Sequence, residues 1–360
     1  MKKLFAATTA LMSVAMMAPA MAQESPIKLS LGGKLRHFFW VADQDELATE
    51  RLNTAGMSTD AEFYLTGEVT LDSGLRVRAV MEEEAESRSD RNADEAYIDF
   101  RDTWGRFRIG EKEGWNSSFI GDPIPEAFGT TDERIIGEMA IKSRNGVTIT
   151  DAMTFKRYVS DSLGIMYQTP EVNGFQAGIA YHPTVGDTEG TFDAATARNN
   201  AVDVSGRWQG TFGETRVRVG GGYLNIDSRK TAPFNDGIEA FNINTTVTVG
   251  QISIGGTYMD VNPANSLDEE NYNIGILWKG YPWSFSADYY LGKRDATVNP
   301  VNREKSEIYR VQAGYKVGPG IDVGVIGFIT DQKTGRATAA AAAPVKWDGS
   351  GVVVGTKLEF

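Results

Sequence analysis

The sequence predicts an all-β chain: a transmembrane antiparallel β-barrel of sixteen strands with a long third loop folded into its lumen. Three observations predict it. Apolar and polar residues alternate with period two in segment after segment. Short glycine-bearing turns alternate with long polar loops along the chain. The last strand, Gly351–Phe360, carries Val352, Val354, Thr356, Leu358 and Phe360 on one face and Val353, Gly355, Lys357 and Glu359 on the other. Successive side chains of a strand point to opposite faces, so such a strand suits a wall with lipid outside and water inside.

Residues 1–22 read as a signal peptide: Lys2 and Lys3, an apolar run from Leu4 to Ala18, and small residues at Ala20 and Ala22 before Gln23. The barrel is expected over residues 23–360. Beyond residue 22 no apolar run is long enough for a transmembrane helix. Leu75, Val77, Ala79 and Met81 alternate with Arg76, Arg78, Val80 and Glu82. Phe107 and Ile109 alternate with Arg106 and Arg108. Val217 to Tyr223, Phe241 to Val249 and Trp283 to Leu291 repeat the pattern. Turns fall near 73–74, 103–105, 170–174, 212–213, 250–251, 280–282 and 318–320, most with Gly where a hairpin needs φ > 0. Loops fall near 42–58, 85–92, 112–160, 184–199, 228–237, 261–268, 293–303 and 332–344. Fifteen connections require sixteen strands, an even number with short turns on one rim and long loops on the other. Trp40, Trp104, Tyr181, Tyr223, Trp278, Tyr281 and Trp283 lie near strand ends, as interfacial girdles require. A soluble exported sandwich also alternates polar and apolar residues, but it does not keep tight turns strictly out of phase with long loops.

Composition narrows the function. The 360 residues carry a net charge of −12, and the expected export peptide takes away two lysines and no acid, so a nucleic-acid binder is excluded. With no cysteine there is neither a disulfide framework nor thiolate chemistry. The two histidines, His37 and His182, sit on separate strands with no nucleophile or carboxylate at a diagnostic spacing, and no phosphate loop or dinucleotide fingerprint occurs. The chain is not expected to be an enzyme.

Residues 112–160 are too long for a rim loop, and loops of such length are usually functional. A barrel of sixteen strands has an open lumen unless something enters it. This segment is therefore expected to fold inward and narrow the passage. Glu111, Glu113, Asp122, Glu126, Asp132, Glu133 and Glu138 make it and its entry acidic. Lys34, Arg36, Arg76, Arg78, Arg106 and Arg108 occupy polar faces of the early strands. Acids on one side of a narrowing and arginines on the other give a transverse field that orders water and sets ion preference.

The chain resembles the Gram-negative general diffusion porins, especially those of alphaproteobacteria, over the whole mature length. The resemblance is carried by Asp94-Glu95-Ala96-Tyr97-Ile98-Asp99-Phe100 and Trp104-Gly105-Arg106-Phe107-Arg108-Ile109-Gly110, similar to the family's hairpin before its third loop. Ile165-Met166-Tyr167-Gln168-Thr169-Pro170 with Gly174 to Tyr181 resembles a second family hairpin, with Thr169 in place of Ser. Pro125-Glu126-Ala127-Phe128-Gly129 is similar to the third-loop tip of enteric members, with an Ala inserted and a second Gly missing. The resemblance implies a homotrimer in the cell outer membrane that passes small hydrophilic solutes and ions passively. It also implies that Phe360 is the signal read by the barrel-assembly machinery during biogenesis. A substrate-specific channel with a solute or anion preference is the alternative, because Arg207, Arg216, Arg218 and Arg310 add inward positive charge. Some relatives bind calcium through loop carboxylates, and Asp43, Asp45 and Glu46, or Asp187 and Glu189, offer such groups. No spacing here forms a recognised calcium loop, and no cofactor is expected.

Overall fold

The computed structural model describes residues 27–360 except 86–92, 122–123, 130–135, 137–139, 145–146, 148–152, 161, 187–197, 228–236, 264–267, 296–302 and 335–344. The expected signal peptide lies outside the described residues. Sixteen antiparallel strands close into one barrel. They are β1 (Lys28–Gln44), β2 (Ala55–Thr70), β3 (Arg76–Glu84), β4 (Ala93–Asp102), β5 (Gly105–Glu111), β6 (Leu163–Gln168), β7 (Phe175–Val185) and β8 (Arg198–Phe212), then β9 (Thr215–Asp227), β10 (Ile238–Val249), β11 (Ile252–Pro263), β12 (Glu269–Gly280), β13 (Trp283–Arg294), β14 (Glu304–Gly318), β15 (Ile321–Lys333) and β16 (Lys346–Glu359). The short helices α1 (Trp115–Ile120) and α2 (Lys156–Val159) lie between β5 and β6. Among the described residues no helix is long and apolar enough to cross a membrane.

Closure follows from the last strand. Arg36 pairs in register with Lys357, Phe39 with Val354 and Val41 with Val352. The backbones of Gly33 and Phe360 exchange two hydrogen bonds at the end of the seam. Every strand thereby has two partners and no edge is left unpaired, which a hydrocarbon surrounding demands.

Alternation sorts the two faces as the sequence predicts. Val354, Ile274, Phe285 and Met81 are about half exposed, forming an apolar outer belt, while their neighbours Val353, Asn273, Ser286 and Val80 are buried. Trp40 is a correction. It is only 5% exposed and faces inward with Phe38, so it belongs to an internal apolar cluster and not to an interfacial girdle. The inner faces of β9 to β11 also turn apolar toward the long loops: Leu224, Ile226, Ala240, Met259 and Val261 are buried beside Met153, Phe155 and Val159 of the β5–β6 segment.

Candidate functional site

Described residues of the segment between β5 and β6 hydrogen-bond to side chains on β1, β9, β10, β13, β14, β15 and β16. The segment leaves β5 at Glu111, and α1 follows at once. Trp115 lies on the inner face of β7, where a Cβ added at Gly178 would come within 2.4 Å of its indole. Asn116 exchanges amide hydrogen bonds of 2.8 Å with Asn242 on β10. Arg218 on β9 donates to the carbonyls of Ser118 and Phe119, ending α1 against the wall. Farther on, the Ala127 amide donates to Ser286 on β13, and the Phe128 and Gly129 amides donate to Gln312 on β14. Lys357 on β16 donates to the Phe128 and Gly129 carbonyls. These seats lie nearer the short turns than the long loops on their strands. Glycine creates them, since a Cβ at Gly324 would come within 2.2 Å of the Phe128 ring.

The return limb is fixed from the long-loop side. Gln44 of β1 donates to the Ala140 carbonyl and accepts from the Lys142 amide. Gln332 of β15 donates to the Lys142 carbonyl and accepts from the Arg144 amide. Glu50, in the β1–β2 loop, pairs with Lys142 and, at 2.6 Å, with Arg144, whose guanidinium stacks 4.5 Å from the Trp347 ring. The hydrogen bond from Arg144, and after it the one from Lys142, hold the Glu50 carboxyl down at about 2. A carboxyl depressed from its ordinary 4.5 contributes in full well above that value, and the contribution is lost progressively as pH falls from there through about 2. The clamp is therefore expected to keep most of its strength at pH 4, while Glu50→Gln weakens it at both pH 7 and pH 4. Protease cleavage of the β5–β6 segment at pH 7 and pH 4 checks this: the wild type should stay largely protected at pH 4, and the variant should be cut faster than the wild type at both.

Most of the sequence-predicted site residues now have places. Arg108 is buried, donates to Asp99 from Nε at 2.8 Å, and lies 4.1 Å from the Tyr97 ring and 4.8 Å from that of Trp115. Arg106 joins the same Asp99. Arg36 bridges Asp60 and Glu359. Arg76 opens β3 on the short-turn rim, half exposed and 3.9 Å from Glu68. Arg78 lines an open cavity of about 320 Å³ with Ser30, Tyr64, Thr66 and Glu82. On the acidic side, Glu111 ends β5 opposite Leu163. Glu113 is buried and lies 3.3 Å from Lys112. Glu126 is held by Arg310, which also grips Asp288 on β13. Asp122, Asp132 and Glu133 lie outside the described residues, as does Glu138.

Sequence reasoning passed over Lys357 and Arg101. Lys357 is buried and donates to the Phe128 and Gly129 carbonyls at the segment's tip. Arg101 shares its face with Asp99, and the two-residue spacing was the available signal. Of the arginines offered for an anion preference, Arg310 and Arg218 are tied to the segment and Arg207 to Glu171. The histidines are structural: His182 bonds the Ser162 carbonyl and His37 the Thr59 hydroxyl. Among the described residues, carboxylates that approach one another closely enough to share a cation are Glu62, Glu84 and Asp94, and Glu82, Asp94 and Glu95. Of the loop carboxylates considered for calcium, Asp45 instead accepts from the Asp348 amide, and Asp187 and Glu189 lie outside the described residues.

A closed sixteen-stranded barrel with a charged interior narrows the possibilities to channel families. The profile of the Gram-negative porins matches residues 7–333. The chain belongs to the Gram-negative porin family. This porin also resembles solved structures along nearly its whole length. An anion-selective porin from Comamonas acidovorans superposes with a TM-score of 0.65 at 15% identity, covering 93% of this chain and 100% of that one. In vitro-folded OmpT, an outer membrane protein from Vibrio cholerae in its trimer form, superposes at 0.60 with 14% identity, over 93% and 100%. A mutant of the Rh. blastica porin gives 0.57 and 12%, over 92% and 100%. At such identities the likeness concerns the fold. No curated protein matches the sequence significantly. Family and fold make this porin a diffusion channel of the outer membrane.

Proposed function

We propose that the β5–β6 segment, residues 112–160, folds into the lumen and narrows the channel to a passage against the β1–β6 wall. Small hydrophilic solutes and ions cross it passively and without any catalytic step. The hydrogen bonds that join Asn116, Ala127, Phe128 and Gly129 to inward residues of β10, β13, β14 and β16 carry this reading. Arg36, Arg76, Arg78, Arg106 and Arg108 form the basic side of the passage. Glu111, Glu113 and Glu126, with Asp122, Asp132 and Glu133, form the acidic side. Lys112 and Arg310 offset Glu113 and Glu126, as Asp60, Glu359 and Asp99 offset Arg36, Arg106 and Arg108, which leaves Arg78 as the basic-side charge without an ion pair among the described residues. The functional unit is a homotrimer, in keeping with the trimer form recorded for the Vibrio cholerae relative.

The decisive measurement is the reversal potential of single channels under a salt gradient. Arg78 has no ion pair within 4 Å among the described residues, although Glu68 and Asp99 stand opposite it on the neighbouring strands. Arg78→Glu is expected to shift permeability toward cations by several-fold, since a charge within a few ångströms of the ion path is worth about 1 kcal/mol even in water. An unchanged reversal potential would remove Arg78 from the narrowing. Saturable block by one solute would instead favour a substrate-specific channel.

A further inference from the structure

The inward faces of β3 and β4 order their charges along the barrel axis, while β2 places one acid, Glu68, at the short-turn end opposite Arg78. Read from the short-turn rim, the inward residues of β3 are Arg76, Arg78, Val80, Glu82 and Glu84. Strand β4 runs the other way and repeats the order: Arg101 nearest the short turn, then Asp99, Tyr97 and Glu95. The register places Arg76 opposite Arg101, and Arg101 opposite Arg106. Three arginines thus occupy adjacent register positions on neighbouring strands, whose backbones run about 5 Å apart. Like charges directly opposite each other destabilise a sheet, so folding alone does not favour this row. On the long-loop side, Glu82 stands opposite Glu95, and Glu84 opposite Glu62.

Pairing reduces this separation without cancelling it. Asp99 serves Arg106 and Arg108, and Arg76 has only the distant Glu68. Lys34 offsets Glu62 and Lys112 offsets Glu95. Among the described residues no salt bridge involves Arg78 or Arg101 on the short-turn side, or Glu82 on the long-loop side. Arg78 and Glu82 line the same open cavity, so both act on its contents.

We propose that this wall is a charge step along the pore axis. It makes the channel rectify, and it gives multivalent anions a binding row, Arg76–Arg101–Arg106, reached from the short-turn mouth. In outer-membrane barrels that mouth faces the periplasm. The chemical class is a solute with two or more anionic oxygens, such as a pyrophosphate, able to span neighbouring guanidinium groups. The proposal rests on the strand wall alone and not on the position of the β5–β6 segment.

The test is the current–voltage curve of the full-length channel in planar bilayers, with orientation known. The chain has no cysteine, so Ser73→Cys in the β2–β3 turn marks the short-turn side for a membrane-impermeant thiol reagent. In 0.1 M salt, where fixed charges act over about 10 Å, opposite polarities should carry currents differing by about a factor of two. In 1 M salt the difference should vanish, because the screening length falls to about 3 Å. Pyrophosphate should reduce the current at lower concentration from the short-turn side than from the long-loop side. Arg78→Gln with Arg101→Gln should abolish both asymmetries. These arginines lack salt bridges, so the barrel should still assemble; Glu82→Gln tests the rectification from the other pole. A symmetric wild-type curve would overturn the proposal. So would rectification left unchanged by either variant, or pyrophosphate block that is equal from both sides. Failure here leaves the reversal-potential result for Arg78→Glu intact, because that measurement reports narrowing and not axial order.

Discussion

Arg310→Ala is expected to lower the temperature at which the folded barrel converts to the unfolded band in detergent electrophoresis, and to make single-channel current unstable. Arg310 is nearly fully buried on β14. Its Nε donates to Asp288 on the neighbouring strand and a terminal nitrogen donates to Glu126 on the β5–β6 segment, both at 2.8 Å. The Asp288 side chain has no exposed surface. Removing the guanidinium takes its ion pair from that buried carboxylate, which costs on the order of 3–5 kcal/mol. The same change removes the bond that joins Glu126 to β14. The triad predicts its own rescue: Arg310→Met combined with Asp288→Asn and Glu126→Gln removes all three charges and should recover most of the stability. If the single variant melts like the wild type, the ion triad is not what seats the segment.

The barrel itself was legible because its signals are local. Glycine-bearing turns, polar loops and period-two faces depend only on near neighbours in the chain, and each strand from β2 to β15 falls between a turn and a loop read from sequence. The site was less legible, for a physical reason. Parity tells which way a side chain points, but not how high it sits in the barrel or what it meets there. Arg76 and Arg106 were grouped with Arg36 by parity alone, whereas register places the first two in a row with Arg101. Trp40 looked like a girdle residue because it is aromatic and near a strand end, yet a cluster fed by the β5–β6 segment gives it an apolar place inside. Glu126 resembled a free acid until the fold brought it to an arginine far along the chain. Glycines on inward faces carried a signal that a strand reading discards. Gly178 and Gly324 are sockets for Trp115 and Phe128, and only the meeting partner reveals a socket.

Lys357→Met should release the segment's tip while sparing the barrel, and the contrast with Arg310 makes it informative. The ammonium of Lys357 donates to two consecutive carbonyls, Phe128 and Gly129, and lies 4.5 Å from the Phe128 ring centre. That ring also packs edge-on to Phe38 at 6.2 Å and covers Gly324. Methionine keeps most of the volume and apolar stem but supplies no donor, so both carbonyls lose their partner in a buried setting. Each such loss costs about 1–3 kcal/mol, and the cation–π contact adds about 1 kcal/mol more. The cost falls on one turn of the segment, because the strand pairing of Lys357 with Arg36 and Asp322 uses backbone groups that the substitution leaves alone. The expected phenotype is therefore a near-normal melting temperature with frequent brief current steps and faster protease cleavage near Gly129. Arg310→Ala should instead lower the melting temperature and destabilise the current together. A quiet Lys357→Met channel would mean that Gln312, Ser286 and the Phe128 socket hold the tip without it.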